Sequence, residues 1–421
     1  MSAVPSARDA LTGDEKGLPA PAAGATIAGF LAREPRLAEL WTPLVVLDQA
    51  ALDDNIAFLA GWVAARGLEL MPHGKTTMAP ALWHRQLDAG ATGITVATPS
   101  QLRVAVGAGI AAVMLANQLV QPEAIRWTAA AVAAGTRIWS WVDDPAAVTG
   151  IERVLGGEPE HPLEVLVDVG RVGGRTGARS YDAAVALAER IAASSAVRLA
   201  GVAGYEGSVA HGRSSDALDS ARTYVEELLA VHAALAPLYD DGDILVTAGG
   251  SAYPDVVGTA FAAAAAGGDT ARFVLRSGAY VVHDHGYYRA NSPFEAAGLR
   301  PAARGIARVV SRTEPTLAIV DAGKRDFPYD EGLPLPLYAV TASGDRHALP
   351  DAAMTKLSDQ HGFVSIPADS SLAVGDLVVF GLSHPCTMFD KWRLVPVVPS
   401  LDDDTFDPAT AVVVDLVETR F

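Results

Sequence analysis

Leu68-Glu69-Leu70-Met71-Pro72-His73-Gly74-Lys75-Thr76-Thr77 is an apolar run that breaks at a proline and turns on a glycine and a lysine. Its apolar part, 68–71, reads as a short buried strand. A helical pattern follows at 80–89, then a strand at 93–97 and a helix at 100–107. The alternation carries on through strands at 112–116, 137–142, 163–169, 198–203, 243–246 and 272–275. Helical segments at 122–134, 145–155, 181–193, 214–235 and 252–265 separate them, the longest being stopped by Pro237. That makes eight strands between Leu68 and Leu275, each but the last followed by a helix. Such repetition predicts a parallel sheet with helical crossovers. Eight units in roughly 210 residues fit a closed (β/α)8 barrel of the TIM type. An open doubly wound sheet is the alternative. It usually has fewer units, and no dinucleotide fingerprint follows an early strand.

The flanks differ in texture. Residues 1–41 form a Pro/Ala/Gly-rich tail and lead-in, expected to be mobile at its start. The barrel is expected over 42–290, and a strand at 44–47 that precedes it is expected to pair with the final domain. Beyond 290, β-rich runs at 307–311, 317–320, 362–366, 376–380, 392–398 and 411–417 are separated by Pro, Gly and Asp. They predict a C-terminal, mostly antiparallel β domain over 291–421.

Composition removes several function classes. The 421 residues are 50% hydrophobic and 19% charged, which suits a folded chain, and carry a net charge of −17. An acidic surface repels phosphate backbones, so no nucleic-acid partner is expected. No apolar run reaches membrane-spanning length, and no secretory signal is visible. Cys386 stands alone, so no internal disulfide can form, and a cytoplasmic protein is expected.

The chain has five lysines: Lys16, Lys75, Lys324, Lys356 and Lys391. Lys75 follows a buried strand, where barrel enzymes place their chemistry. A free lysine, with pKa of about 10.4, is protonated at neutral pH; burial lowers that value and makes the amine a carbonyl trap and a base. Lys75 therefore reads as a Schiff-base residue, against the alternative of a surface lysine in a turn. Thr247-Ala248-Gly249-Gly250-Ser251 closes the seventh strand and Arg276-Ser277-Gly278-Ala279-Tyr280 the eighth. Loops after these two strands are a common phosphate site in barrels. The loop Asp168-Val169-Gly170-Arg171-Val172-Gly173-Gly174-Arg175-Thr176-Gly177 carries two arginines, one of which suits an anionic or ring-nitrogen group.

Ser383-His384-Pro385-Cys386-Thr387 lies in the β domain. On an extended segment His384 and Cys386 would project to one face, as a zinc-type ligand pair. A buried cysteine beside a structural histidine is the competing reading; a nucleophilic Cys–His pair is disfavoured, since no supporting Asn or oxyanion motif is visible. Asp359 and His361 are candidates for a further ligand or an outer contact. His283 and His285, just past the last barrel strand, stay open as substrate contacts.

Taken in order, Pro72-His73-Gly74-Lys75-Thr76, Asp168…Arg175-Thr176-Gly177, Tyr205-Glu206-Gly207, Gly249-Gly250-Ser251, Ser277-Gly278-Ala279-Tyr280, Asp359-Gln360-His361-Gly362 and His384-Pro385-Cys386 resemble the D-serine dehydratase / D-threonine aldolase family. These are alanine-racemase-like, fold-type III enzymes that use pyridoxal 5'-phosphate (PLP). The resemblance runs from about Thr42 to the C-terminus. It implies a PLP barrel, a β domain and a homodimer. By position, Lys75 is similar to the lysine that bonds the cofactor. Gly249, Gly250, Ser251, Ser277 and Gly278 resemble phosphate binders. Arg175 resembles the partner of the pyridine nitrogen, and Tyr205 a ring or phosphate contact. His73 and Tyr280, in the same two loops, count with the cofactor contacts. His384 and Cys386 resemble the metal pair, which is His and Cys with zinc in the dehydratases and typically His and Asp with a harder divalent ion in the aldolases. Cys386 thus favours the dehydratase branch. Many relatives read Lys-Thr-His-Lys where this chain reads Lys75-Thr76-Thr77-Met78.

The function expected is a PLP- and zinc-dependent dehydratase and deaminase of a D-β-hydroxy amino acid resembling D-serine, giving a 2-oxo acid and ammonia. Retro-aldol cleavage of the D-threonine aldolase type, or dehydration of D-3-hydroxyaspartate, are the alternatives. An amino-acid racemase and a non-catalytic PLP carrier rank lower, the carrier because small barrel relatives of that kind lack a β domain and a metal pair.

Overall fold

A computed structural model describes residues 10–156, 158–240, 242–402 and 406–421. The expected mobile start, 1–9, lies outside them. Strand β1 (Leu44–Asp48) precedes eight parallel strands. These are β2 (Glu69–Leu70), β3 (Ile94–Val96), β4 (Ala112–Gln118), β5 (Arg137–Val142), β6 (Leu163–Val169), β7 (Val197–Gly204), β8 (Leu245–Ala248) and β9 (Arg272–Leu275). Their order is β2-β9-β8-β7-β6-β5-β4-β3. The seam between β2 and β3 is closed by Thr92 N–H to Leu70 O at 2.9 Å, Thr95 N–H to Pro72 O at 2.9 Å and a bridge between His73 and Thr95. This is the barrel the βα rhythm predicts.

The strands read as unbroken apolar runs because both faces are covered. Inside the barrel Met71, Met114, Trp139, Trp141, Leu166, Ala200, Ala203, Leu245 and Val274 form one cluster. The outer faces pack on the helices in a separate, larger core. Five barrel helices open with proline at the first or second position, at Pro80, Pro99, Pro122, Pro145 and Pro254, where the missing N–H costs no helical bond. Thr98, Asp144, Ser180 and Ser214 cap helix starts through their side chains.

The β domain adds β10 (Ala303–Glu314), β11 (Leu317–Val320), β12 (Leu335–Val340), β13 (Arg346–Ala348), β14 (Ala353–Leu357), β15 (Gly362–Ser365), β16 (Leu377–Gly381), β17 (Leu394–Val398) and β18 (Asp415–Glu418). β1 joins this sheet, antiparallel to β10 and parallel to β17. The lead-in before it is no loose tail from residue 11 onward: Leu11, Leu18, Phe30, Leu37 and Leu40 are buried with Leu44, Val46, Val379 and Leu416. No described helix is long and apolar enough to cross a membrane.

The N-terminal ends of the strands carry an ionic belt. Arg137 bonds Glu164 at 3.1 Å and Asp243 at 2.5 Å, Arg198 reaches Glu164 and Asp240, and Arg272 clasps Glu69 through two bonds of 2.6 and 2.7 Å. Burial alone would raise the Glu69 pKa, but Arg272 and Thr92 hold it below the ordinary value. A depressed carboxylate stabilises the fold above its unfolded pKa and loses that contribution as pH falls through the folded value. Glu69→Gln is expected to lower stability by about 1 kcal/mol at pH 7, with the gap closing as pH falls below the ordinary carboxylate range. Urea melts across that range check this; a gap independent of pH would contradict it.

Candidate active site

The C-terminal ends of the barrel strands and one β-domain loop enclose a cavity of about 280 Å³. Its walls include His73, Lys75, Thr76, Arg175, Tyr205, Gly249, Gly250, Ser251, Arg276, Gly278, Tyr288, His384 and Cys386. Most residues predicted from the sequence thus converge on one space. Lys75 sits in the short 3-10 turn Gly74–Thr76 after β2. Burial, with Arg175 and Arg276 nearby, lowers its pKa, while Cys386 pulls the other way. His73 is held neutral by burial and by the same cations, and its Nδ1 has no partner. A neutral imidazole there adds no charge to a crowded cationic wall.

Arg276, which the sequence reading used only as part of a loop, is the buried keystone. It donates to Thr247 Oγ1 at 2.7 Å and to Gly204 O, and lies 4.9 Å from the Trp141 ring centroid. Burial lowers its pKa to about 10, against the pull of Glu206 and Asp168. Burial pushes Asp168 up to about 6, Asp143 adds to that, and Thr176 and Gln118 restrain it. Arg175 stands 4.9 Å over the Tyr205 ring. Its loop closes through Gly170 N–H to Ala178 O at 3.0 Å, and Gly177 at φ +103° has no room for a Cβ, which would lie 2.4 Å from Gly170 N. The φ and the close approach both demand glycine.

His384 and Cys386 reach the cavity from the β domain. The extended segment expected there is instead a 3-10 turn, Pro385–Thr387, preceded by His384 at φ +56°. His384 Nδ1 lies 2.6 Å from Asp330 Oδ2, and the Thr387 hydroxyl donates to the same carboxylate. The His384 N–H donates to Asp284 Oδ2 at 3.0 Å. Burial would lower the His384 pKa; Cys386 and Asp330 overcome it and push it up to about 9. Cys386 Sγ is 3.3 Å from the Thr76 hydroxyl, next in sequence to Lys75.

Some sequence expectations end elsewhere. Asp359 and His361 border a separate surface depression with Lys324 and Lys356, and Asp359 faces Arg325 at 3.5 Å. The carboxylate beside His384 is Asp330, from a loop 54 positions earlier. Tyr280 and Ser277 are buried behind the cavity wall; the Tyr280 hydroxyl accepts from Gln86 Nε2 at 2.9 Å. His283 bonds Glu295 at 2.8 Å, and His285 is buried and neutral, its pKa lowered to about 2 by burial and by Arg304. Neither histidine is part of the wall. Asn117, Trp141 and Tyr288 are wall residues the sequence reading missed. Among the described residues, no group of three His, Cys, Asp or Glu side chains is arranged to hold a metal ion.

The residues fit the implied cofactor. A half-buried amine and two arginines, Arg175 and Arg276, offer counter-charge for an anion, and at Gly250 and Gly278 the wall is so close that a Cβ would fall 2.9 Å from the Tyr205 ring and 2.3 Å from His73 O. This barrel with its lysine, and the β domain closing over it, define an alanine-racemase-like, fold-type III enzyme, a class that works with PLP. The family comparisons agree. The alanine racemase N-terminal domain matches residues 47–253, and the putative serine dehydratase domain matches 302–398. A D-threonine aldolase from Arthrobacter sp. is 27% identical over 378 residues, covering 90% of each chain. A D-threo-3-hydroxyaspartate dehydratase from Delftia sp. (strain HT23) is 30% identical over 176 residues, 41% of this chain and 45% of that one. The solved structure of D-threonine aldolase from Filomicrobium marinum superposes with a TM-score of 0.76 at 25% identity, over 91% of this chain and 96% of that one. The chain belongs to the D-serine dehydratase / D-threonine aldolase family, and it is a PLP-dependent lyase.

Arg276 offsets two buried carboxylates. Arg276→Met, which leaves Glu206 and Asp168 without it, is expected to cost about 3–5 kcal/mol in urea unfolding. A cost below about 1 kcal/mol would contradict the assignment.

Proposed function

We propose that this enzyme dehydrates and deaminates a D-β-hydroxy amino acid, releasing a 2-oxo acid and ammonia. The observation that carries the reading is the meeting of Lys75 with His384 and Cys386 in one cavity, tied by the 3.3 Å contact between Thr76 and Cys386. When bound, PLP supplies an aldehyde for the substrate amine and a ring that absorbs the charge left by a departing α-proton. Lys75 takes that proton: burial lowers its pKa, which favours the neutral amine that a base requires. Arg175 and Arg276 present fixed positive charge to the anionic groups that enter. Tyr205 keeps its proton, its pKa raised to about 12 by burial and by Glu206, and so remains a hydrogen-bond donor.

The metal pair fits a soft divalent cation, and we assign zinc. His384 Nε2 and Cys386 Sγ would hold it, with Asp330 fixing the imidazole through Nδ1. Two protein ligands leave positions for water or substrate, and such an ion would polarise the β-hydroxyl. Retro-aldol cleavage is the second reading, favoured by the aldolase relative that spans 90% of the chain. Against it stands Cys386, the soft second ligand that the resemblance assigns to the dehydratase branch; Thr77 and Met78, buried where many relatives have His and Lys, point to a substrate other than D-serine itself.

D-Threonine separates the two. The dehydratase gives 2-oxobutanoate and ammonia; an aldolase gives glycine and acetaldehyde. We expect the first pair as the main products, with D-3-hydroxyaspartate tested alongside. Stripping the metal with a chelator is expected to cut turnover at least about 100-fold, and added zinc to restore it. Glycine as the dominant product, or full activity after chelation, would overturn the assignment.

A further inference from the structure

Five residues were expected at a phosphate, yet the structure turns the polar groups of three of them inward. Glu206 is fully buried. Its Oε2 accepts from the Gly249 N–H at 3.0 Å and its Oε1 from the Gly250 N–H at 2.6 Å. The Ser277 hydroxyl donates to Gly250 O at 3.0 Å and to Gly249 O at 3.3 Å. The turn at 249–250 is therefore gripped along its donor edge and its acceptor edge by side chains from two other loops. An incoming phosphate finds no spare N–H at either glycine.

Other donors remain. Ser251 Oγ accepts from the Ala279 N–H at 3.2 Å, which leaves its own proton free to donate. The N–H groups of Ser251 and Gly278 donate to no protein group among the described residues. Both residues line the cavity. Gly278 also packs so tightly on the His73 backbone that only glycine can bring an N–H there.

We propose that Glu206 is the positioning residue of the phosphate site: its carboxylate clamps the Gly249–Gly250 turn so that Ser251 and Gly278, and not the glycine turn, take the phosphate. This deepens the PLP reading and rests on it. A carboxylate beside a phosphate is repulsive unless a cation intervenes, and the buried Arg276 guanidinium lies close enough to Glu206 to supply one. The opposite role is a stand-in that the phosphate displaces. The two differ in sign: loosening a clamp weakens phosphate binding, whereas loosening a competitor strengthens it.

The test compares PLP with pyridoxal, which lacks the phosphate. Full-length protein stripped of cofactor is titrated with each aldehyde and followed by visible absorbance, with circular dichroism reporting the fold. Glu206→Gln keeps the shape of the buried side chain, and Ser251→Ala removes one hydroxyl. Each is expected to weaken PLP binding by about 10-fold or more and to leave pyridoxal binding little changed. Glu206→Gln that binds PLP as tightly as wild type, or more tightly, overturns the clamp. Ser251→Ala with unaltered PLP affinity overturns the proposed cradle, as does a wild type that holds the two aldehydes equally well. A wild type that takes up neither aldehyde refutes the cofactor reading itself, and this proposal with it.

Discussion

Positive charge gathered around one partly enclosed cavity is the constraint on which this structure depends. Lys75, Arg175 and Arg276 all face one cavity, and His73 beside them stays neutral. Left alone, such a cluster would be costly to bury. The chain offsets it with Glu206 and Asp168 around Arg276. What is left over is a demand for an anion and a lysine whose proton is loosely held. Both are what a phosphorylated aldehyde cofactor needs.

The second feature is how the two domains are held in register. β1 belongs to the β sheet by pairing, yet leads directly into the barrel. At the other end Asp284 accepts from Gly286 and Tyr288 on the barrel side and from His384 on the β-domain side. The Tyr287 and Tyr288 rings lie 5.9 and 6.2 Å from the His384 ring. His384 is thereby fixed through its backbone, its ring face and its Nδ1. That is a great deal of restraint for a residue in a left-handed conformation, and strain of this kind is retained where geometry serves a site.

The barrel was legible because its chemistry is repetitive. Strands buried on both faces read as apolar runs, and proline at helix starts punctuates them. The lysine loop was legible from its place after β2. Other parts carried no local signal. Leu11, Leu18, Phe30 and Leu37 are scattered singly among Ala, Pro and Gly, so the packed lead-in shows no periodicity. β12 to β14 escaped notice because Pro336 interrupts the first, and β13 and β14 are largely exposed with Arg346 and Lys356. Asp330 meets His384 only through tertiary folding, and nothing in Asp330-Glu331-Gly332 hints at it. Glu206 was visible as part of a motif, but its bonds to Gly249 and Gly250 span more than forty positions.

The account rests on Lys75 being the residue that bonds the cofactor. The direct measurement is borohydride reduction of the PLP-loaded protein, followed by peptide mass analysis. A pyridoxyl-phosphate mass on the peptide carrying Lys75, absent from Lys75→Ala, is the predicted result. Label on Lys324, Lys356 or another lysine, or a wild type that acquires none, would contradict it.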